Sequence, residues 1–585
     1  MNQETKNCQS CKKDFIIEPE DFQFYENMKV PAPTWCPDYR LKRRLMWRNG
    51  RILFRRTDSA SGKEIFSGFS EGATGKVFEI EYWKSDSWDA LEFGKEYDFS
   101  RSFFEQYKEL LYSVPWPSKS VQRMTNSEYC DQAGDFKNCY LCFNGDRMED
   151  SAYTTQCSDG KFCFDCSISN ESELCYECVS VNGSYKTIFS QDCENCVEVQ
   201  FSKNCVNCSN CFGCINLRDK SYYFFNEKCT KEEYEEKVSV IKVSTNEGLQ
   251  KAINQTRDFF LKFPYKYYHG FRAIQSSGDY LRSVKNVKNS YFVDNAQDSK
   301  FLYNVYLSTK DSYDYGPWGT TSSQMYECLT CGDQCNQIKF CFESWPSSRA
   351  LEYCCFCRSS SDCFGCVSVK KKQYCILNKQ YTKEEYEVLV PKIIAHMNEM
   401  PHTDKKGRVY KYGEFLPEEF SPFAYNETIL QEMYPLTKET AIASGYSWRD
   451  PDVREFITTK IAEELPQDIG DVDDSILKEV IQCSDCKKAY RIIAPELNFL
   501  RKMKLPLPRL CILCRQNHRA TLINPPHYYK RSCDCGGDKS KSGTYSNFQK
   551  HFHENGVCPN KFETSYSPNK KEIVYCEECY QQEII

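Results

Sequence analysis

Fifteen cysteines between residues 130 and 229 fall on one lattice of three. Cys130, Cys139, Cys142, Cys157, Cys163, Cys166, Cys175, Cys178, Cys193, Cys196, Cys205, Cys208, Cys211, Cys214 and Cys229 are separated only by multiples of three residues. Within that set Cys139, Cys157, Cys175, Cys193, Cys211 and Cys229 follow one another at eighteen, and Cys142, Cys178, Cys196 and Cys214 form a second column with Gly160 in the remaining slot. A fixed period carrying one small residue type describes a solenoid whose coils stack like side chains. The expectation is therefore a β-solenoid with an eighteen-residue spacing, and the alternative is an antiparallel array of short hairpins.

The unit is duplicated. CFGCINLRDKSYYFFNEKCTKEEYEEKV starts at Cys211 and CFGCVSVKKKQYCILNKQYTKEEYEVLV starts at Cys363, 152 residues later. CFGC, Tyr222 and Tyr374, Asn226 and Asn378, and TKEEYE coincide. In both copies a Thr (Thr230, Thr382) precedes a Glu (Glu233, Glu385) by three residues, the capping box that opens a helix. FKNCYLCFN at 136 likewise matches VKNSYFVDN at 287. Two related units follow, 126–242 and 278–398, each closed by a helix. In the second, Tyr and Phe fill many slots and rungs recur at about twelve.

At 585 residues the chain is too long for one core, so the fold class is multidomain, β-rich with short helices. A net charge of −6 argues against a protein coated in nucleic acid but leaves room for local basic patches. The start, MNQETKNCQS, lacks the basic and apolar regions of a secretory signal, and no apolar run reaches about 18 residues, so no membrane span and a cytoplasmic location are expected. In a reducing cytosol the 37 cysteines stay thiols or bind metal; with only 7 His, metal sites must be built mainly from thiolates. For the ladder, packing as a small buried hydrophobe is the first expectation, because Tyr, Phe and Leu take equivalent rungs in the second unit. Stacked metal or cluster sites and disulfides are the alternatives.

The sharpest metal signal is CSDC at Cys483 and Cys486 followed by CILCR at Cys511 and Cys514. Two Cys-x2-Cys knuckles supply a tetrahedral Cys₄ set suited to Zn²⁺. Residues 481–520 resemble a family of bacterial zinc ribbons with a C-x2-C…F/Y…P-x-x-C-x2-C-R pattern. The N-terminus repeats the design with Cys8, Cys11 and Cys36, and the Cys11–Cys36 gap equals the Cys486–Cys511 gap. Tyr39 stands where Cys514 would be, and a neutral phenol is a poor zinc ligand. Three thiolates plus water, a contribution from Asp38, or a lost site are the readings open there. A third set lies near the C-terminus, where Cys576 and Cys579 form one knuckle and Cys533 with Cys535 the other, and Cys558 is able to replace either of the latter. Its FETSYSP…EIVYCEECY run resembles a second small bacterial zinc-ribbon type. His551 and His553 lie in the intervening insert. Two to three Zn²⁺ ions are expected in all.

After the first ribbon, RLKRRLMWRNGRILFRR carries Arg43, Arg44, Arg48, Arg51 and Arg55 without an acidic residue. Such a stretch suits phosphate contact, so RNA or DNA is a candidate partner; a solvated basic helix is the plainer reading. No Gly-rich phosphate loop and no HExxH motif is present.

The expected layout is a degenerate ribbon with a basic helix (1–56), an aromatic and acidic α+β segment (57–125), the first repeat (126–242), a linker (243–277), the second repeat (278–398), an irregular connector (399–478), a zinc ribbon (479–525) and a last ribbon (526–585). This layout is similar to that of a family of large Cys-rich zinc-ribbon proteins of small-genome candidate-phylum bacteria, a resemblance that implies no particular activity. A non-enzymatic zinc-binding scaffold with an unidentified protein partner is the functional expectation. A nucleic-acid-binding factor and a metal-storage or redox protein using the ladder are the alternatives.

Overall fold

Between Arg123 and Phe225 nearly every third residue has a positive φ, with the non-glycine values between 47° and 62°. Each triplet therefore works alike. A left-handed residue turns the chain, the next points its side chain inward, and the third bridges to the neighbouring turn. Four triplets close one turn, because the bridges run parallel at intervals of twelve: Lys137 to Glu149, Lys161, Glu173, Tyr185 and Val197, then Ser209 and Ser221. Left-handed backbone costs an L-residue about 1–2 kcal/mol. Asn and Asp at these corners offset part of that by pairing between turns, as in Asn126 to Asn138 at 3.0 Å and Asn138 to Asp150 at 2.8 Å.

This geometry corrects the eighteen-residue interval. Eighteen residues make one and a half turns of twelve, so cysteines that far apart lie on opposite walls. Those that stack are twelve apart, such as Cys163 with Cys175 and Cys166 with Cys178. The bridges are parallel, which also removes the antiparallel hairpin array. The interior is narrow. An ideal Cβ on Gly145 would sit 1.9 Å from the carbonyl oxygen of Cys157.

The structure is a computed structural model that describes residues 2–450, 456–553 and 556–584. It is β-rich with twelve short α-helices among the described residues, and the chain forms two compact units. One unit combines Met1–Ser120 with His269–Asp450, the other Val121–Tyr268 with Pro451–Ile585. Each thus joins one stack of turns to a cysteine-bearing terminal segment.

In the first unit the turns are less regular. Register is twelve from Gly278 to Ser290, thirteen from Thr309 to Ser322 and from Asn336 to Arg349, and twelve again from Ser361 to Gln373. The extra residue is absorbed at one corner by two consecutive left-handed residues: Leu307–Ser308, Thr320–Thr321 and Asp333–Gln334, thirteen apart.

Both stacks end in the same way, which explains why the duplicated residues coincide. Asn378 accepts from the Val367 N–H at 2.8 Å and donates to the Val367 carbonyl at 2.9 Å. Asn226 does the same to Ile215, at 2.9 and 3.0 Å. Each carboxamide supplies the rung that the missing next turn would have supplied. Helices Lys231–Ile241 and Lys383–Glu399 follow, both opened by a complete capping box. The segment 243–277, expected as a linker, holds the helix Asn246–Phe260.

Candidate metal centres

The segment around Cys483 builds its site from a hairpin and two helices. Strands Ile481–Gln482 and Ala489–Tyr490 pair antiparallel, and their turn carries Cys483 and Cys486. Helix Ala494–Met503 follows, and Cys511 then caps helix Ile512–Thr521, which carries Cys514 in its first turn. The second pair of thiols therefore sits on a helix start, where a ribbon would have a second β-knuckle. Unpaired N–H groups and the positive end of the helix act toward thiolates there, against burial, which raises both the Cys511 and Cys514 thiols in the metal-free chain.

The four sulfurs lie within 4.8 Å of one another. Cys486 and Cys511 are 3.6 Å apart and the Cys511 N–H donates to the Cys483 sulfur at 3.2 Å. A tetrahedral ion with metal–sulfur bonds of about 2.3 Å has S···S edges of ~3.8 Å, so the donor set fits such an ion. Burial works to raise the Cys483 thiol, but amide hydrogen bonds from Cys511, Asp485 and Cys486 outweigh it and bring it down to about 7.

The N-terminal segment repeats this with a constant offset. Hairpin Glu4–Asn7 with Asp14–Ile17, helix Pro19–Asn27, and Cys36 capping helix Pro37–Leu45 reproduce the same order. Cys11 and Cys36 are 3.8 Å apart, and the Cys36 N–H donates to the Cys8 sulfur at 3.3 Å. A hydrogen bond from the Cys36 side chain brings the Cys8 thiol down to about 4 against its burial. Among the described residues this group has three ligands, Cys8, Cys11 and Cys36. Asp38 does not join it; its carboxylate accepts from Lys42 at 2.8 Å and from the Tyr434 hydroxyl at 3.3 Å.

At the C-terminus the structure regroups the expected ligands. Cys533, Cys576 and Cys579 gather with Cys558, not with Cys535. Cys535 instead joins His551, His553 and, again, Cys579. The C-x-C spacing turns its two thiols to two different groups, and the two histidines were not in the expected ligand set. Their position beside Cys558 in the insert was the available signal.

Three of the five arginines expected to hold nucleic acid, Arg43, Arg44 and Arg48, are turned inward, which corrects their assignment. Arg40, Arg43 and Arg44 are at most 1% exposed. Arg43 donates to Glu414 at 2.7 Å and Glu327 at 2.8 Å, and Arg44 to Asp314 at 3.1 Å and Glu327 at 2.9 Å. Arg48 is buried and bonded to the Thr330 hydroxyl. Arg51 pairs with Glu432, and Arg55, half exposed, pairs with Glu64. Helix Ile512–Thr521 carries the counterpart residues: Arg515 binds Asp165 at 2.5 Å and Glu496 at 2.9 Å, and Arg519 binds Glu177 at 2.8 Å and Asp165 at 3.0 Å. The carboxylates sit at left-handed corners of neighbouring turns, Asp165 with Glu177 and Asp314 with Glu327. Aromatic contacts repeat too. Phe24 stacks on Tyr313 at 3.9 Å, and Phe499 on Phe164 at 4.5 Å.

The ladder thiols have structural work. Cys157 donates to the Thr155 carbonyl at 3.4 Å, and Cys178 to those of Tyr176 at 3.4 Å and Thr187 at 3.2 Å. Inward serines meanwhile accept main-chain N–H groups of the next turn, as Ser151 does from Cys163 at 3.0 Å. A small residue with one donor satisfies the backbone inside a narrow bore. Among the described residues, none of the four groups of clustered metal ligands draws on the ladder.

Gly68, Ser70 and Gly72 have the G-x-S-x-G spacing of a serine nucleophile elbow. Ser70 is only 3% exposed and the next helix starts no earlier than Ile80, so the strand–turn–helix context of that motif is missing.

No family model matches the chain, and no curated protein does. Among solved structures, one from Desulfovibrio desulfuricans, named provisionally as an acetyltransferase, aligns at 10% identity over 50% of this chain and 75% of its own, with a TM-score of 0.10. That score is too low to support an argument about fold or activity. No helix of the described residues is long and apolar enough to cross a membrane.

Proposed function

We propose that this chain is a non-enzymatic, zinc-binding scaffold in which each stack of turns is a β-solenoid locked by a zinc-folded helix. One observation carries the reading. The helix that begins at the Cys511–Cys514 pair also presents Arg515 and Arg519 to the stack's buried carboxylates. Metal binding at its first turn and ion pairing along its next two are thereby properties of one short helix, which few residues would otherwise hold in place. Zinc suits the donor sets because it takes tetrahedral thiolate and imidazole ligands without redox chemistry. The stack's outer walls, edged by paired charges such as Lys137–Glu149 and Lys186–Glu198, offer a long, regular surface for a protein partner. Thiols that donate to main-chain carbonyls along both bores favour a reducing compartment such as the cytoplasm, since oxidation would remove those donors.

Metal analysis of the native chain tests the reading. Zinc bound in stoichiometric amounts, and lost together with the helix's order on chelation, supports it; a folded chain without metal overturns it.

A further inference from the structure

Cys579 belongs to two groups of ligands at once. Its sulfur lies within 4.8 Å of those of Cys533, Cys558 and Cys576, and also within 4.8 Å of the Cys535 sulfur and of one ring nitrogen each of His551 and His553. We propose that the C-terminal segment holds two divalent metal ions bridged by the Cys579 thiolate. One is bound by Cys533, Cys558, Cys576 and Cys579, the other by Cys535, His551, His553 and Cys579. This rests on the reading that the cysteine groups bind metal, and it deepens that reading.

Both histidines are already held in the ring orientation that a ligand needs. His551 turns Nδ1 to the Cys535 sulfur at 3.1 Å and Nε2 to Glu583 at 3.0 Å. Glu583 is itself fixed by the Tyr545 hydroxyl at 3.0 Å and by the N–H groups of Phe548 at 3.0 Å and Gln549 at 2.8 Å. A carboxylate behind an imidazole is the outer-shell partner that orients a metal-bound histidine. His553 sets Nδ1 against the Gly556 carbonyl at 2.8 Å, so that nitrogen carries the proton and Nε2, 3.4 Å from the Cys579 sulfur, keeps its lone pair. The sulfurs receive support as well. Asn547 donates to Cys535 at 3.2 Å and Asn560 to Cys576 at 3.4 Å.

Charge favours the shared arrangement. A lone divalent ion on four thiolates leaves a net charge of −2, whereas two ions on five thiolates and two neutral imidazoles leave −1. The C-x-C spacing of Cys533 and Cys535 has its use here, because neighbouring thiols of one strand end serve two ions, and the first turn of helix Glu577–Ile584 places Cys579 between them.

The full chain loaded with cadmium-113 tests this without substitution. Beside the uncoupled sulfur-only resonances of the Cys483 and Cys8 groups, the expected spectrum contains one all-sulfur resonance and one of mixed sulfur and nitrogen coordination, split by mutual metal–metal coupling through the bridging sulfur. Sulfur-only resonances alone, or a mixed resonance without coupling, would overturn the bridged pair while leaving metal binding intact. No cadmium resonance at all would overturn the underlying reading too. As a second measurement, zinc content of the Cys535→Ser/His551→Asn/His553→Asn variant should fall by one ion per chain relative to the native protein. Unchanged content overturns the proposal.

Discussion

The Arg40 guanidinium lies 2.8 Å from the Asp314 carboxylate, and both side chains are sealed from solvent. Arg515 stands in the same relation to Asp165. In the sequence one ribbon precedes its stack and the other follows it, yet both units settle on the same contact. A helix started by cysteines presents arginines spaced by four, Arg40 and Arg44 or Arg515 and Arg519, to two carboxylates on adjacent turns. Four residues on a helix rise about 6 Å, enough to span neighbouring turns stacked about 4.8 Å apart.

Truncating one partner should therefore be costly. Arg515→Ala leaves Glu496 buried without its cation and Asp165 with Arg519 alone, and a loss of about 3–5 kcal/mol is expected in denaturant unfolding. Charge reversal at Arg43 or Arg44 should unfold the first unit, so any loss of nucleic-acid binding in such a variant would accompany loss of structure. A native-like unfolding midpoint for Arg515→Ala would show that the ion pair contributes little.

The ladder should tolerate hydroxyl for thiol and refuse bulk. Cys163→Ser keeps a small donor in a wall that already uses Ser127 and Ser151, and is expected to cost less than about 1.5 kcal/mol. Cys163→Leu overpacks the bore and should cost about 1–3 kcal/mol. Neither should change zinc content. Metal loss from Cys163→Ser, measured by elemental analysis, would return these thiols to a ligand role.

What was legible in the sequence was local. The Cys-x2-Cys pairs and the capping boxes at Thr230 and Thr382 each depend on residues a few positions apart, and each forms. The turn length was not legible in the cysteines alone, because a lattice of three fits any multiple of three; the left-handed corner in every triplet, which fixes four triplets to a turn, leaves only a diffuse mark in Asn and Asp. The fate of Arg40, Arg43 and Arg44 was hidden for a different reason. Their partners Asp314 and Glu327 lie at least 270 residues away, where nothing distinguishes them from solvated acids. A basic run looks like a surface until its counter-charges are found.

The two end-closing asparagines should differ in weight. Asn378 is fully buried while Asn226 is half-buried. Asn378→Ala removes two hydrogen bonds to Val367 and leaves that residue's N–H and C=O unpaired, so at least about 2 kcal/mol is expected. Asn226→Ala, where water can substitute, should cost less. Equal effects in thermal unfolding would mean that burial does not set the difference.

Acid should weaken the Cys483–Cys514 centre before it weakens the stacks. The Cys483 thiol is lowered in the folded apoprotein from the usual 9 to about 7. A lowered value means that the folded state favours the thiolate. The stability it contributes is full above the unfolded value near 9 and is lost as pH falls through about 7. Metal binding adds to the same trend, since every thiol must lose its proton to bind, and affinity then drops up to tenfold per pH unit for each proton displaced. Competition with a chromophoric chelator across about pH 8 to 6 should therefore show a steep fall in affinity. Chelation at neutral pH should loosen helix Ile512–Thr521, and with it the Arg515 and Arg519 contacts, as faster amide exchange confined to that segment. Exchange that accelerates equally along the ladder would mean that the metal stabilises the whole unit and not the helix it nucleates. An affinity that does not change with pH would mean that the bound ligands are not the thiolates.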